Sequence, residues 1–246
     1  MKKLVLVLSL ALFSLVTNAA ELVNLIQTYQ ADRGALTRLY TNRLSTEYFA
    51  RMESFNRDYL KTLQAQNYAT LSEDGKVDYV LFRNYLEKQL AELDLEKRDF
   101  MQIQSVVAFG KPLEAFVVGR RRAVQPDAQA LAAQWNQVAQ ALDAQQKALA
   151  SSSKYDSWQK AELAAMAVES LAKVVKESYD FYFDFDPAFT WWMPTPWEKL
   201  DAGMKTYAKA LRAHYTNSVK DDGSGIIGKP IGREALEKQL AFEMIA

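Results

Sequence analysis

Between Glu21 and Phe109 the chain contains no proline and only two glycines, Gly34 and Gly75. Nothing in so long a stretch removes a helix amide or clashes with the preceding turn, and little frees the backbone to turn. With Leu, Gln, Glu, Lys and Ala abundant, the stretch is constrained to helices joined by short polar breaks. Periodicity agrees. Tyr79, Phe82, Leu86, Leu90 and Leu93 recur in steps of three and four after Ser72-Glu73-Asp74, which places carboxylates at the positive end of a helix. Pro126-Asp127 opens a second segment with Leu131, Trp135, Val138, Leu142 and Leu149 on one face, closed by Ser151-Ser152-Ser153. A third runs from Ser157 to Tyr182, its broad face carrying Ala164, Val168, Leu171, Val175 and Tyr179. Thr195-Pro196-Trp197-Glu198 then reads as a capping box with proline at the first helical position, ahead of Leu200, Met204, Tyr207 and Leu211. No segment alternates with period two for long. The expected fold is all-α, an irregular bundle of six or seven helices with little or no sheet.

The charges narrow the function classes. Thirty Lys and Arg face thirty Asp and Glu, which leaves no field to gather nucleic acid or an anionic membrane, so neither is an expected partner. There is no Cys and a single His. That excludes disulfides, thiolate zinc sites, a Cys nucleophile and the two or three imidazoles of common catalytic zinc sites. No metal ligand set is expected within this sequence.

The first residues read as an address. Lys2 and Lys3 precede an apolar run from Leu4 to Val16, followed by Thr17-Asn18-Ala19-Ala20 with small residues at the −3 and −1 positions. This is the pattern of a secretory signal peptide cleaved after Ala19, and the run is short for a bilayer span of about 20 residues. The expected organisation is a leader over 1–19 and a helical domain over 20–246. The mature chain is then periplasmic or secreted and detached from the membrane, with 28 basic against 30 acidic side chains.

Four features invite a functional reading. Gly223-Ser224-Gly225-Ile226-Ile227-Gly228-Lys229 satisfies both G-x-G-x-x-G and the start of a P-loop, but Pro230 follows, with neither a hydroxyl for Mg²⁺ nor an amide for phosphate. No strand precedes it, and Asp221 and Asp222 would repel phosphate; a glycine turn is favoured over nucleotide binding. From Tyr179 to Trp197 there are nine aromatics, Trp191 and Trp192 among them, interleaved with Asp180, Asp184 and Asp186. A stacking platform for sugars or peptides is one reading; a non-helical crossover pinned into the core by its rings is favoured. The aspartates lack the glycine and final Glu of a calcium loop. Arg120-Arg121-Arg122 reads as solvated or locally paired, and His214 as packed or half-exposed, without a triad partner at local spacing. No G-x-S-x-G elbow occurs.

The C-terminal residues carry a resemblance. The run from Asp221 through Gly228-Lys229-Pro230-Ile231-Gly232-Arg233 to Leu236, with Leu240 and Glu243-Met244-Ile245, resembles a stretch recurring in bacterial domain of unknown function 885. Leu71 to Tyr79 and Phe189-Thr190-Trp191-Trp192 are similar to that family as well. Its full-length members resemble zincin-type metallopeptidases, with a His-Glu-x-x-Pro-Gly-His-His segment downstream of the part matched here. The resemblance therefore implies a zinc peptidase-like hydrolase while carrying no zinc ligand and no catalytic residue onto this chain. Zinc would enter only through ligands supplied by a missing C-terminal part.

Two functions follow as expectations. One is an exported helical scaffold of a peptidase-like protein, without catalysis of its own, with a peptide substrate in its cleft. Trp191, Trp192, Gly228 and Arg233 are then the candidate ligand-binding residues, the arginine pairing with a substrate carboxylate through its planar fork. The other is a stand-alone periplasmic binding module that engages a protein partner through the aromatic crossover and the apolar face of the last helix.

Overall fold

The computed structural model describes residues 22–215 and 231–244. Among them are nine α-helices and no strand, so the fold is all-α. The helices are α1 (22–39), α2 (Thr46–Gln64), α3 (Glu73–Met101), α4 (Lys111–Arg121), α5 (Ala128–Ser151), α6 (Trp158–Phe183), α7 (Pro187–Trp192), α8 (Pro194–Arg212) and α9 (Arg233–Met244). Short 3₁₀ turns at Tyr68–Thr70 and Gln104–Gly110 lead into α3 and α4. The count exceeds six or seven because α4 and α7, of 11 and 6 residues, are helices in their own right.

Local chemistry sets most of the starts. Ser72 Oγ accepts from the Gly75 amide, Asp127 Oδ1 from Ala130 and Ser157 Oγ from Lys160. Each satisfies one of the amides that a helix start leaves without a partner. The expected capping box at Thr195 does not form. Helix α8 begins at Pro194 with Met193 as its N-cap and no side-chain cap, so Thr195 lies inside the first turn. The crossover before it is helical, correcting the non-helical expectation: Asp186 Oδ1 accepts from the Ala188 and Phe189 amides and Pro187 takes the first helical position.

The described residues divide into two compact units, one of residues 22–37, 50–95 and 231–244, the other of residues 38–49 and 96–215. In the first, Tyr29 is the hub. Its ring stacks on Phe55 at 5.0 Å and meets Tyr59, Phe82 and Tyr85 edge-on, while its hydroxyl donates to Asn56 Oδ1 at 2.9 Å. Helix α9 joins this unit through Asn84, whose Nδ2 donates to the Phe242 carbonyl, and through a Lys88–Glu243 ion pair. None of its residues is buried.

The second unit has the larger core. Helix α8 packs on both α5 and α6, and Trp135, Leu142, Val168, Leu171, Met204 and Leu211 from the three helices are all buried. Alanines 161, 164, 165 and 167 let the α6 backbone approach its neighbours closely. Arg212, at the end of α8, forks onto Glu162 and Glu169 of α6 at 2.5–2.9 Å.

Candidate functional site

The α6–α8 corner sorts its rings into two sets. Tyr179, Tyr182 and Phe189 are buried and Trp197 half-buried, with Tyr179 stacked on Trp197 at 5.0 Å and Phe189 stacked on Phe116 at 6.1 Å. These pin the corner into the core. The remainder face solvent: Trp191 is 81% exposed, Phe185 80%, Phe181 54% and Trp192 42%. Four large exposed aromatics within twelve residues are apolar area left unburied by the fold, which tends to mark a contact surface. The Arg120 guanidinium lies 5.0 Å over the Phe181 ring, and its Nε donates to Ser178 Oγ at 3.2 Å. Burial lowers its pKa from the ordinary arginine value, yet an arginine stays charged. Of the arginine run, Arg122 donates to the Tyr40 hydroxyl at 3.3 Å and Arg121 is exposed.

His214 sits just past the C-cap of α8 and is buried. Its Nε2 is 3.0 Å from Ser152 Oγ and 3.1 Å from the Ser153 carbonyl. That pair resembles a nucleophile and its base, and the hydrogen bonds decide otherwise. A carbonyl only accepts, so Nε2 must carry the proton. Ser152 Oγ in turn donates to the Leu149 carbonyl at 2.9 Å. The imidazole therefore donates to the serine and cannot take its proton. Tyr155 closes the clamp, its amide donating to the His214 carbonyl and its ring edge-on to the imidazole. This contact joins residues 62 apart, beyond the reach of a search for local partners.

Glu114 is the residue that sequence reasoning passed over. It lies on α4, and its Oε1 accepts from Asn42 Nδ2 at 3.0 Å; Asn42 Oδ1 accepts from Ser170 Oγ of α6. Burial pushes its carboxyl up to about 7, against the Asn42 hydrogen bond, and the Glu47 carboxylate adds to the rise. Beside it is a void of about 20 Å³ bordered by Tyr40, Thr41 and Ser45. Thr41 Oγ1 is buried without a hydrogen-bond partner among the described residues.

Trp191 and Trp192 stand on the aromatic corner. Arg233 belongs to the other unit, exposed on the first turn of α9, with its Nε 2.6 Å from Glu237 of the same helix. Gly228, with the rest of the P-loop-like run, lies outside the described residues. Among the described residues no three His, Asp or Glu side chains are grouped to hold a metal.

A family model described as bacterial protein of unknown function, DUF885, matches residues 28–237. The chain belongs to the DUF885 family. The match takes in α2 to α8 whole, including the aromatic corner, the His214 clamp and Glu114. No curated protein and no solved structure matches the chain.

Proposed function

We propose that this DUF885 member is an exported helical scaffold of a peptidase-like protein, one that holds polypeptide and does not itself cleave it. The observation that carries the reading is the outward half of the aromatic corner. Phe181 at the end of α6, Phe185 in the turn after it and Trp191 and Trp192 on α7 offer flat faces at low entropic cost, in a corner pinned by buried Tyr179, Tyr182 and Phe189. Export rests on the leader pattern of residues 1–19. Absence of catalysis rests on the proton arithmetic of the one imidazole, which is a donor in its clamp. The resemblance to zincin-type peptidases implies zinc, and the described residues do not fit it: no cluster of three ligating side chains exists among them.

The test uses a permanently unfolded protein, reduced and alkylated α-lactalbumin, titrated against the purified chain by tryptophan fluorescence. Saturable binding is expected, weakened at least about tenfold by the double change Trp191→Ala and Phe185→Ala, as for a contact centred on aromatic anchors. Equal binding by the variant would remove the corner from the function. Zinc-dependent hydrolysis of the added polypeptide, abolished by a chelator, would overturn the scaffold reading.

A second reading, a stand-alone binding module, is favoured by the closely packed α5–α6–α8 core, which needs no further chain to bury it. A monodisperse, cooperatively unfolding preparation supports the module, and aggregation of the isolated chain counts for the scaffold.

A further inference from the structure

A cavity of about 260 Å³ opens between α4 and α5. Pro112, Phe116 and Gly119 come to it at helical spacing from one face of α4, and Ala130, Leu131 and Gln134 from one face of α5. Val124 and Pro126, from the loop joining the two helices, complete the lining. It offers no uncompensated charge. Asp127 borders it, but this carboxylate caps α5 through the Ala130 amide, at the positive end of that helix.

Three observations indicate what it takes. The first is Gly119, inside α4, where glycine costs stability relative to alanine. Its φ is not positive, and an added Cβ would meet nothing nearer than Val124 at 3.8 Å. Neither backbone geometry nor packing requires glycine there, and its missing side chain leaves the cavity open on the α4 side. The second is strain in the loop wall. Ala123 has φ of +57° at the position where a helix usually ends on glycine: its amide returns to the Arg120 carbonyl and the Val124 amide to that of Gly119. The turn holds Val124 at the cavity 57% exposed, an apolar wall facing solvent. Third, this wall is fastened to the aromatic corner. The Tyr182 hydroxyl donates to the Val124 carbonyl at 3.0 Å, and Gln125 Nε2 donates to Asp186, the cap of α7. Phe116, in the lining, stacks on Phe189 of α7. Exposed Phe185 immediately precedes Asp186, so the cavity and the outward rings adjoin across the Gln125–Asp186 bond.

We propose that this cavity seats one apolar side chain, of leucine size, from an extended segment of the polypeptide held at the aromatic corner. The inference rests on the corner reading and adds selection to it: the rings supply flat contact, and the cavity chooses a neighbouring aliphatic residue. Its volume falls below the roughly 300–1,000 Å³ of small-molecule sites, which suits a side chain better than a free ligand. A helix, about 10–12 Å across with its side chains, does not enter such a space. Gln134 is exposed and makes no hydrogen bond among the described residues, which leaves its amide for the peptide groups of the bound segment.

Calorimetric titration of the purified protein with two acetylated, amidated hexapeptides tests it: Ser-Gly-Phe-Leu-Gly-Ser and its counterpart with alanine for leucine. The leucine peptide should bind about tenfold more tightly, the factor that burying most of the larger side chain supplies. Gly119→Leu puts a side chain into the cavity and should bring the leucine peptide down to the level of the alanine peptide, which itself is unaffected. Val124→Asp, at an exposed position that carries little risk to the fold, should cut the preference at least about threefold. The double change Trp191→Ala and Phe185→Ala should weaken both peptides by one factor and keep their ratio. Equal affinity for the two peptides, or a preference that survives both Gly119→Leu and Val124→Asp, overturns the cavity and leaves the corner standing. A preference untouched by the double ring change removes the corner instead. No saturable heat from the leucine peptide up to about 10 mM overturns the proposal, the corner being judged separately by unfolded α-lactalbumin.

Discussion

Glu114 is a carboxyl held where its proton decides how well the surroundings fit. Protonated, it removes a charge from beside Glu47 and gains an O–H that can serve the void lined by Thr41. Ionised, it keeps only the Asn42 amide as donor. Its folded pKa of about 7 lies above the ordinary 4.5, so the folded state binds the extra proton between those values. Stability from this group is therefore complete below pH 4.5 and is lost as pH rises through 7. Glu114→Gln, neutral at every pH, should match the native chain at pH 4.5 and exceed it at pH 8 by on the order of 2 kcal/mol. Urea unfolding midpoints of the two proteins at both pH values check this. An unchanged gap between them would mean that the carboxyl titrates alike in the folded and the unfolded chain. Nothing local in the sequence marks Glu114. Its partner Asn42 is 72 positions away, and Ser170, which completes the chain, is 128 positions beyond Asn42. Burial of this kind is made by the packing of α4 against α6, which periodicity cannot register. Trp191 and Trp192 were legible as candidates because aromatic density is a one-dimensional signal; which rings turn outward was not.

The elements show the same division between local and distant causes. Helix starts at Ser72, Asp127 and Ser157 were readable because the capping side chain and the amide it serves are three residues apart. The box at Thr195 failed because Asp186 starts a helix earlier, and Met193 ends that helix and begins the next. Close packing is the part with no local trace, and two glycines test it with opposite signs. A Cβ at Gly110 would fall 2.3 Å from Leu171 Cδ2, a side chain fully buried in α6. Gly110→Ala should therefore cost roughly 1–3 kcal/mol, as overpacking does. Gly119 lies within α4, and a Cβ there would meet nothing nearer than Val124 at 3.8 Å. Gly119→Ala should stabilise by about 0.5–1 kcal/mol through the helical preference of alanine. Thermal unfolding of both variants decides it, since each kcal/mol moves Tm by about 2–4 °C at this size. Two shifts of the same sign would contradict the packing described for α4 and α6.

At the scale of the whole molecule, burial is distributed unevenly, and α9 holds almost none of it. Leu236, Leu240 and Met244 recur every four residues along this helix and are 49%, 49% and 74% exposed. What attaches it among the described residues is the Asn84 hydrogen bond to the Phe242 carbonyl and the exposed Lys88–Glu243 pair. A surface ion pair contributes about 0–1 kcal/mol and one partly exposed hydrogen bond about as much. The start of the helix is a local matter as well: Gly232 has φ of +85°, a conformation glycine adopts without strain, and its carbonyl accepts the Leu236 amide. Removing residues 231–246 should then lower Tm by no more than about 4 °C. It should also reduce self-association, because an amphipathic stripe that covers nothing among the described residues is withdrawn from solvent. Differential scanning calorimetry and sedimentation of the full and shortened chains measure the two effects together. A fall in Tm beyond about 10 °C would place α9 in a cooperative core that its exposure does not reveal. A small fall without any gain in solubility would mean that the stripe is not what holds copies of the chain together, and would weaken the case for α9 as a surface made to be covered by another chain.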